Sequence, residues 1–255
     1  LLLAEKRASF CVVGSTQEKV HIALRDAVEA ASGQRGECIG LAGMASPSVA
    51  ELTARAAKLN SERVVLMAPD VYLSGETAAG GCMAAAALAG VLCDQSDPAM
   101  PLNGQVLQGI SGVTAGYEDT EYDALVAAGV TALECVGGRV SVIRGLTTRT
   151  KTGNAADKTF RELTTILIVD DVIPSIRRAL RAKFTRAKNS ALTRNAIRNQ
   201  VIVELEDRID KEIIEGYDNL TVTASTTDPT TCVVEFEFRV VHGLNRIYLT
   251  AHISV

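Results

Sequence analysis

The chain has 255 residues, 47% of them hydrophobic and 22% charged, with a net charge of −4 and no tryptophan. That composition fits a globular chain long enough for one large or two ordinary domains with a real core. No apolar run approaches the roughly 18 residues of a membrane-crossing helix, which excludes a helical membrane anchor as an expectation. The opening Leu1-Leu2-Leu3-Ala4-Glu5-Lys6-Arg7 sets its charges after the leucines, the reverse of a secretory signal, and the absent initiator Met suggests a fragment lacking N-terminal sequence. Cys11, Cys38, Cys82, Cys93, Cys135 and Cys232 are scattered without metal-ligand spacing and read as buried thiols in a reducing compartment.

Strand and helix patterns alternate through the first half. Phe10-Cys11-Val12-Val13 leads to a helix through Val20, Leu24 and Val28. Glu37 to Ala42 leads past Pro47 to a helix over 48–60, and Arg63 to Ala68 leads to an alanine-rich helix over 78–92. Strands separated by helices predict βαβ units and a mostly parallel sheet covered on both faces. Asp94 to Gly116, with its prolines and glycines, reads as an irregular connection. A short helix near 120–128 follows. Val130–Cys135 and Val140–Ile143 then flank Gly137-Gly138, a pair suited to the positive φ angles of a tight hairpin.

Threonines and glycine replace apolar residues from Thr147 to Gly153, and a domain boundary is placed there, giving domains 1–148 and 149–255. Beyond it, Phe160, Leu163, Leu167, Ile173, Ile176, Leu180 and Phe184 form an apolar stripe. Asp170-Asp171 ahead of Pro174 predicts a helix break, or a second start capped by aspartate. Ile197, Val201, Leu205, Ile209 and Ile213 step by four along a second helix, which Gly216 is expected to end in a left-handed conformation. A strand over 220–224, a turn at Asp228-Pro229 and the alternating run Val233 to Val240 follow. After a break at His242–Asn245, Ile247, Leu249, Ala251, Ile253 and Val255 alternate onto one face of a last strand, which can close its own sheet or be lent to a neighbour's sheet edge. The fold class is thus α/β plus α+β: a mostly parallel sheet with flanking helices, then two helices and an antiparallel sheet.

Catalytic constellations are looked for and not found. His21, His242 and His252 read as surface or turn residues, and the glycine-rich Gly33-Gln34-Arg35-Gly36 and Gly137-Gly138-Arg139 match neither a dinucleotide fingerprint nor a P-loop. Gly81-Cys82-Met83-Ala84 faintly resembles a subtilisin nucleophile segment with Cys for Ser, but helix packing explains it better. Asp94/Asp97, Glu118/Asp119 and Asp170/Asp171 read as capping carboxylates. No catalytic, cofactor-binding or metal-ligating residue is assigned, and no cofactor is expected. The strong electrostatic feature is 172–203, which holds Arg177, Arg178, Arg181, Lys183, Arg186, Lys188, Arg194 and Arg198 and no acid. It reads as a solvated face balanced by Glu204, Glu206, Asp207 and Asp210, as a docking surface for an acidic protein, or as a nucleic-acid surface, for which stacking aromatics are missing.

The chain resembles the tail sheath proteins of contractile-tailed bacteriophages and phage-like particles. The matching segments run in order: Ala84-Ala85-Ala86-Ala87-Leu88-Ala89-Gly90, Ser96-Asp97-Pro98-Ala99-Met100-Pro101-Leu102-Asn103-Gly104, Gly129-Val130-Thr131, Gly145 to Thr150, Phe160 to Ile166, Asp170-Asp171-Val172 and the closing Ile253-Ser254-Val255. The resemblance implies a structural protein without enzymatic activity, with an α/β domain of subtilisin-like shape and a C-terminal α+β domain facing a tail tube. It implies hexameric rings of sheath subunits stacked helically, joined by extended terminal arms, in a virion or phage-like particle assembled in the host cytoplasm. On this chain, Ile247, Leu249, Ala251, Ile253 and Val255 fall in the family's C-terminal arm. Arg177, Arg178, Arg181, Lys183, Arg186 and Lys188 fall in the tube-facing domain. The expected partners are other sheath subunits and the tube protein, with no membrane and no direct nucleic-acid contact. The alternative is a doubly wound α/β enzyme with an unrecognised small-molecule site.

Overall fold

The computed structural model describes residues 8–44, 48–73 and 80–244. Its first half runs β1 (Phe10–Val12), α1 (Glu18–Gly33), β2 (Ile39–Gly43), α2 (Val49–Leu59), β3 (Val64–Ala68), β4 (Val71–Leu73) and α3 (Met83–Asp94). β5 (Ile110–Val113), α4 (Asp119–Ala127), β6 (Val130–Val136) and β7 (Arg139–Val142) follow. One five-stranded sheet has the order β1-β2-β3-β6-β7, parallel except for the β6–β7 hairpin, so the parallel-dominated mixed sheet is as expected. The chain divides into two compact units; the second consists of Ser96–Ala99 and Thr164–His242, and the first holds the other described residues.

Every residue of β2 and β3 is buried. Strand side chains alternate between faces. Ala42, Val64, Leu66, Ala68, Val130 and Ala132 join one cluster with Leu24, Val28 and Ala31 of α1, Leu52, Ala56 and Leu59 of α2, and Leu125 of α4. The alternate residues Leu41, Val65 and Met67 are also buried, and α3 lies along β1, β2 and β3 with Ala84, Ala85, Leu88 and Leu92 buried. The alanines of α3 let its axis come close to the sheet. At its start the approach is backbone to backbone: a Cβ on Gly43 would overlap the Gly81 carbonyl oxygen. The helices begin and end by local chemistry. Ser48 accepts from Glu51 N while the Glu51 carboxylate accepts from Ser48 N, a reciprocal cap on α2, and Asn60 closes that helix in the left-handed region at φ 36°.

The structure corrects several expectations in this unit. The connection expected to be irregular carries β5, which pairs antiparallel with β4; neither strand was anticipated. Residues 104–107 run beside β7 and cover its edge, with Leu107 N donating to Val140 O at 2.9 Å and Val142 N to Gln105 O at 3.0 Å. α3 starts at Met83 rather than near 78, and the residues 74–79 lie outside the described ones. The threonine-rich segment is fastened rather than loose. Thr148 N donates to Val64 O at 2.9 Å, Thr148 Oγ1 exchanges hydrogen bonds with the Ser61 backbone at 3.1 Å, and Asn60 Oδ1 accepts from Thr150 N and Lys151 N. Arg149 pairs with Glu62 at 2.7 Å, and Arg144 with Glu162. Thr147 and Thr148 are fully buried, so hydroxyls stand where apolar side chains would because backbone groups there need partners.

The second unit holds α5 (Leu163–Phe184), α6 (Ala191–Asp210) and the antiparallel pair β10 (Ile214–Ala224) and β11 (Cys232–Val240), after the two-residue strands β8 (Lys151–Thr152) and β9 (Ala155–Ala156) in the first. A two-stranded ribbon is marginal alone. Here Tyr217, Leu220, Val234, Phe236, Phe238 and Val240 pack on a cluster of Ile168, Val172, Ile176, Val201, Leu205, Ile213 and Ile214. The alternation Val234, Phe236, Phe238, Val240 is the inward face, as its period predicts. α5 does not break at Pro174. Ile168, Val172 and Ile176 form one unbroken row on its buried side, and that burial outweighs the roughly 3 kcal/mol that an internal proline costs. The stripe is therefore shifted from the expected one: Leu167 and Ile173 are only half-buried. Asp170 and Asp171 cap nothing, because they lie mid-helix, and Asp171 pairs with Arg208 of α6 at 3.1 Å. Gly216 lies inside β10, where a Cβ would meet the Arg239 guanidinium at 2.7 Å; the left-handed residue after α6 is Glu212, at φ 57°. β10 also begins six residues before the expected strand start at 220.

Because only bare backbone fits where β2 meets the start of α3, Gly43→Ala is expected to destabilise the protein by about 2 kcal/mol or more, read as a lowered thermal midpoint. Gly33→Ala, at a site where a Cβ meets nothing, is expected to leave the midpoint within a degree or so.

Candidate functional site

Among the described residues no cluster of three or more His, Cys, Asp or Glu could hold a metal ion. Cys82 stands at the N-cap of α3 and gives it no side-chain cap, so the segment resembling a nucleophile elbow is the place where the helix meets β2. None of the six cysteines forms a disulfide, but the expectation that they are buried holds fully only for Cys38; Cys93 and Cys135 are exposed. Asp97 and Glu118 do cap: Asp97 Oδ1 accepts from Ala99 N at 2.8 Å, and Glu118 exchanges bonds with Glu121.

His21 is not a surface residue. It is fully buried, with Nε2 2.7 Å from Ser15 O and Nδ1 2.9 Å from Arg55 Nη1. A guanidinium only donates, so Nδ1 accepts and Nε2 carries the proton. Arg55 also donates to Thr16 O at 3.1 Å and faces Glu18 at 3.5 Å, which in turn pairs with Lys58. Burial pushes the His21 pKa down from 6.5, and the neighbouring Arg55 charge acts in the same direction against the opposing Ser15 hydrogen bond. The arrangement locks the β1–α1 connection to α2 and leaves no free imidazole for chemistry. His242 is exposed, and His252 lies outside the described residues.

The basic stretch follows the C-terminal half of α5 and the connection to α6. Arg177 is half-buried; Arg178, Arg181, Lys183, Arg186 and Lys188 are exposed. Three of their four expected acidic counterweights, Glu204, Glu206 and Asp207, are engaged elsewhere, and Asp210 is exposed. Arg208 takes Glu204 at 3.6 Å and Asp207 at 2.6 Å, Lys211 takes Asp207 at 2.8 Å, and Glu206 accepts from the Tyr217 hydroxyl at 2.9 Å. Lys183 donates to Gln200, a neutral partner. Arg178, Arg181, Arg186 and Lys188 have no ion pair among the described residues. The connection itself is ordered around Asn189, whose Oδ1 accepts from Arg194 at 2.9 Å. Asn189 donates to Pro229 O at 2.8 Å and Thr231 O at 3.3 Å, which joins it to the β10–β11 turn, and Ser190 caps α6 by accepting from Thr193 N. At that turn Asp228 accepts from Thr230 and Thr231, which holds its carboxyl below the usual range. The result is a run of exposed cations over the end of α5 and its connection to α6, of which Arg178, Arg181, Arg186 and Lys188 have no ion pair among the described residues. The last-strand residues Ile247, Leu249, Ala251, Ile253 and Val255 lie outside the described residues.

A family model for the phage tail sheath protein central domain matches residues 3–148, and one for the phage tail sheath C-terminal domain matches 155–254. The chain belongs to the phage tail sheath family. It is 26% identical over 259 residues to the tail sheath protein of Bacillus phage SP01, an alignment covering 98% of this chain and 44% of that protein. The fold is that of solved sheath proteins. One from Listeria innocua has a TM-score of 0.76 at 16% identity, covering 92% of this chain and 53% of the other. The anti-feeding prophage helical sheath in its contracted state has a TM-score of 0.73 at 17% identity, covering 96% and 69%. This sheath-family chain thus spans less than half the length of its phage relative.

The buried His21 makes the stability of this sheath-family chain depend on acid. The unfolded chain binds its proton below pH 6.5 and the folded chain binds it only at lower pH, so stability is full above 6.5 and falls as pH drops through the folded value. Thermal midpoints of wild type and His21→Gln, compared from pH 7.5 to 4.5, are expected to show a wild-type loss below pH 6.5 that the variant lacks. The slope contributed is at most about 1.4 kcal/mol per pH unit.

Proposed function

We propose that this chain is part of a contractile tail sheath subunit. The whole protein polymerises with other sheath subunits in hexameric rings stacked helically around a tail tube, and contraction drives that tube through the target cell envelope. The observation that carries this reading is the succession of two sheath-family domains, in family order, over 3–148 and 155–254. It is supported by the likeness to a sheath solved in its contracted helical form. The role is structural; the alternative of a doubly wound enzyme draws no support from the comparisons. We take the α/β part, residues 1–148, as the domain of subtilisin-like shape without protease chemistry, and 149–255 as the domain next to the tube. The site of action is the virion tail or a phage-like particle, after assembly in the host cytoplasm.

Two residue assignments belong to this reading. Arg177, Arg178, Arg181, Lys183, Arg186 and Lys188 form the tube-facing surface. Unneutralised cations at a surface are screened over about 8 Å at physiological salt, and exposed pairs contribute only about 0.2–1 kcal/mol each, so such contacts can hold an extended sheath and still break on contraction. Ile247, Leu249, Ala251, Ile253 and Val255 form an arm that adds to a neighbouring subunit's sheet. Backbone pairing of this kind tolerates rigid-body rotation because the change is confined to hinge residues.

The test uses the whole sheath protein with purified tail tubes, followed by electron microscopy and co-sedimentation. Wild type is expected to coat the tubes as helical arrays; a protein that stays dispersed and never coats them refutes the reading. Arg178→Glu combined with Arg181→Glu and Lys188→Glu is expected to weaken co-sedimentation about tenfold with an unchanged thermal midpoint. Deleting 253–255 is expected to abolish polymerisation; sheaths of normal length from that protein would exclude the arm assignment.

A further inference from the structure

α6 has two apolar sides. One is the core row of Val201 and Leu205. The other faces solvent: Leu192 is 82% and Val203 60% exposed, the most exposed large hydrophobic side chains of the second unit. They lie eleven residues apart, three helical turns or about 16 Å along one line, with exposed Ala196 and Asn199 between them. On a helix of 3.6 residues per turn this line falls diametrically opposite Val201. No charged side chain interrupts it. Its ends carry opposite charge. Arg186 and Lys188, exposed and without an ion pair among the described residues, precede the N-terminal end, and exposed Asp210, likewise without one, lies on the same line at the C-terminal end.

A stripe that is positive at one end, apolar in the middle and negative at the other is complementary to itself when reversed. We infer that two copies of this chain pair through α6, their stripes laid antiparallel about a twofold axis. Leu192 of each copy packs against Val203 of the other, Ala196 and Asn199 meet near the axis, and Lys188 of each approaches Asp210 of the other. The small Ala196, opposite Asn199 of the other copy, lets the two helices approach. One helix face buries less area than a standard interface, so the pair is weak and concentration-dependent, with Kd on the order of tens of micromolar.

An isologous pair closes on itself and cannot grow. It also occupies Lys188, one of the cations assigned above to the tube. On the sheath reading, on which this consequence alone rests, pairing and tube binding exclude one another, and the pair is a reserve form that an acidic tube surface opens. The pairing itself is measured without any tube, so its failure leaves the sheath reading untouched.

Sedimentation equilibrium of the 255-residue chain, from about 5 to 500 µM to bracket that Kd, is expected to show monomers passing to dimers and no larger species. Leu192→Glu with Val203→Glu is expected to raise Kd more than tenfold with an unchanged melting curve, since both side chains are outside the core. Lys188→Glu is expected to raise Kd about threefold to tenfold, and adding Asp210→Lys to the same chain is expected to restore it. A chain that stays monomeric throughout overturns the inference. So does association indifferent to the Leu192/Val203 pair, or a charge-swapped double variant no better than Lys188→Glu. Wild-type monomers, together with loss of tube co-sedimentation in Leu192→Glu, would assign the stripe to the tube instead.

Discussion

β2 and β3 have no face that touches water, and the first unit is organised around satisfying them. A parallel strand hydrogen-bonded on both sides and buried on both faces must have helices above and below it. Those helices must in turn present small or branched apolar side chains along one line. α1, α2 and α4 do this with leucine, valine and alanine on one face, and α3 does it with alanines on the other. Each fully buried Val, Leu or Ile contributes on the order of 1.5–3 kcal/mol, while a whole domain is stable by only about 5–15 kcal/mol. The two strands therefore decide whether the unit folds. The close approach of α3, the reciprocal cap on α2 and the covered edge of β7 refine a sheet that already exists.

The second unit solves a harder problem with less material. Its ribbon of β10 and β11 has one apolar face and two strands, too few to stand without helices. Phe236 and Phe238, with ring centroids 6.1 Å apart, supply the aromatic bulk on that face. The helices are held in register by charge as well as by burial. Arg208 collects Asp171, Glu204 and Asp207 while remaining mostly out of solvent. Arg208 and Lys211 hold Glu204 and Asp207 of α6, and Arg178 and Arg181 of α5 have no ion pair among the described residues.

The amino-acid sequence makes legible those elements whose identity is a local matter. β1, β2 and β3, the Gly137-Gly138 hairpin and the alternation of β11 all announce themselves, because a strand buried on both faces or on one has its own period. β4 and β5 do not: each is three or four residues long, and the partner of Val71 is Val113, far along the chain. Pro174 misleads because its cost is local while the row of Ile168, Val172 and Ile176 that outweighs it is tertiary. Gly216 misleads for the opposite reason, since glycine at a helix end and glycine beneath an arginine look alike in one dimension. His21 looks like a helix-start residue, and only Arg55, 34 positions later, makes it a buried one. The basic stretch is fully legible as charge, whereas its lack of neutralisation depends on where Arg208 and Lys211 point. The outer apolar stripe of α6 was available as a spacing of four, three and four between Leu192, Ala196, Asn199 and Val203, hidden by the stronger row beside it.

The anchor that holds the α5–α6 connection against the hairpin turn is an amide, Asn189, bonded to two carbonyls. Asn189 Oδ1 also accepts from the Arg194 guanidinium at 2.9 Å, but an amide does not titrate, so the two carbonyl bonds beneath the loop cations are the same at any pH. Salt can dim their attraction without moving them, and exchanging one cation for another residue can retune it without remodelling the loop. Position and strength are separate variables at this surface. On the tube-facing role proposed for this surface, single substitutions at the loop can therefore adjust its attraction for the tube without altering the fold that presents it.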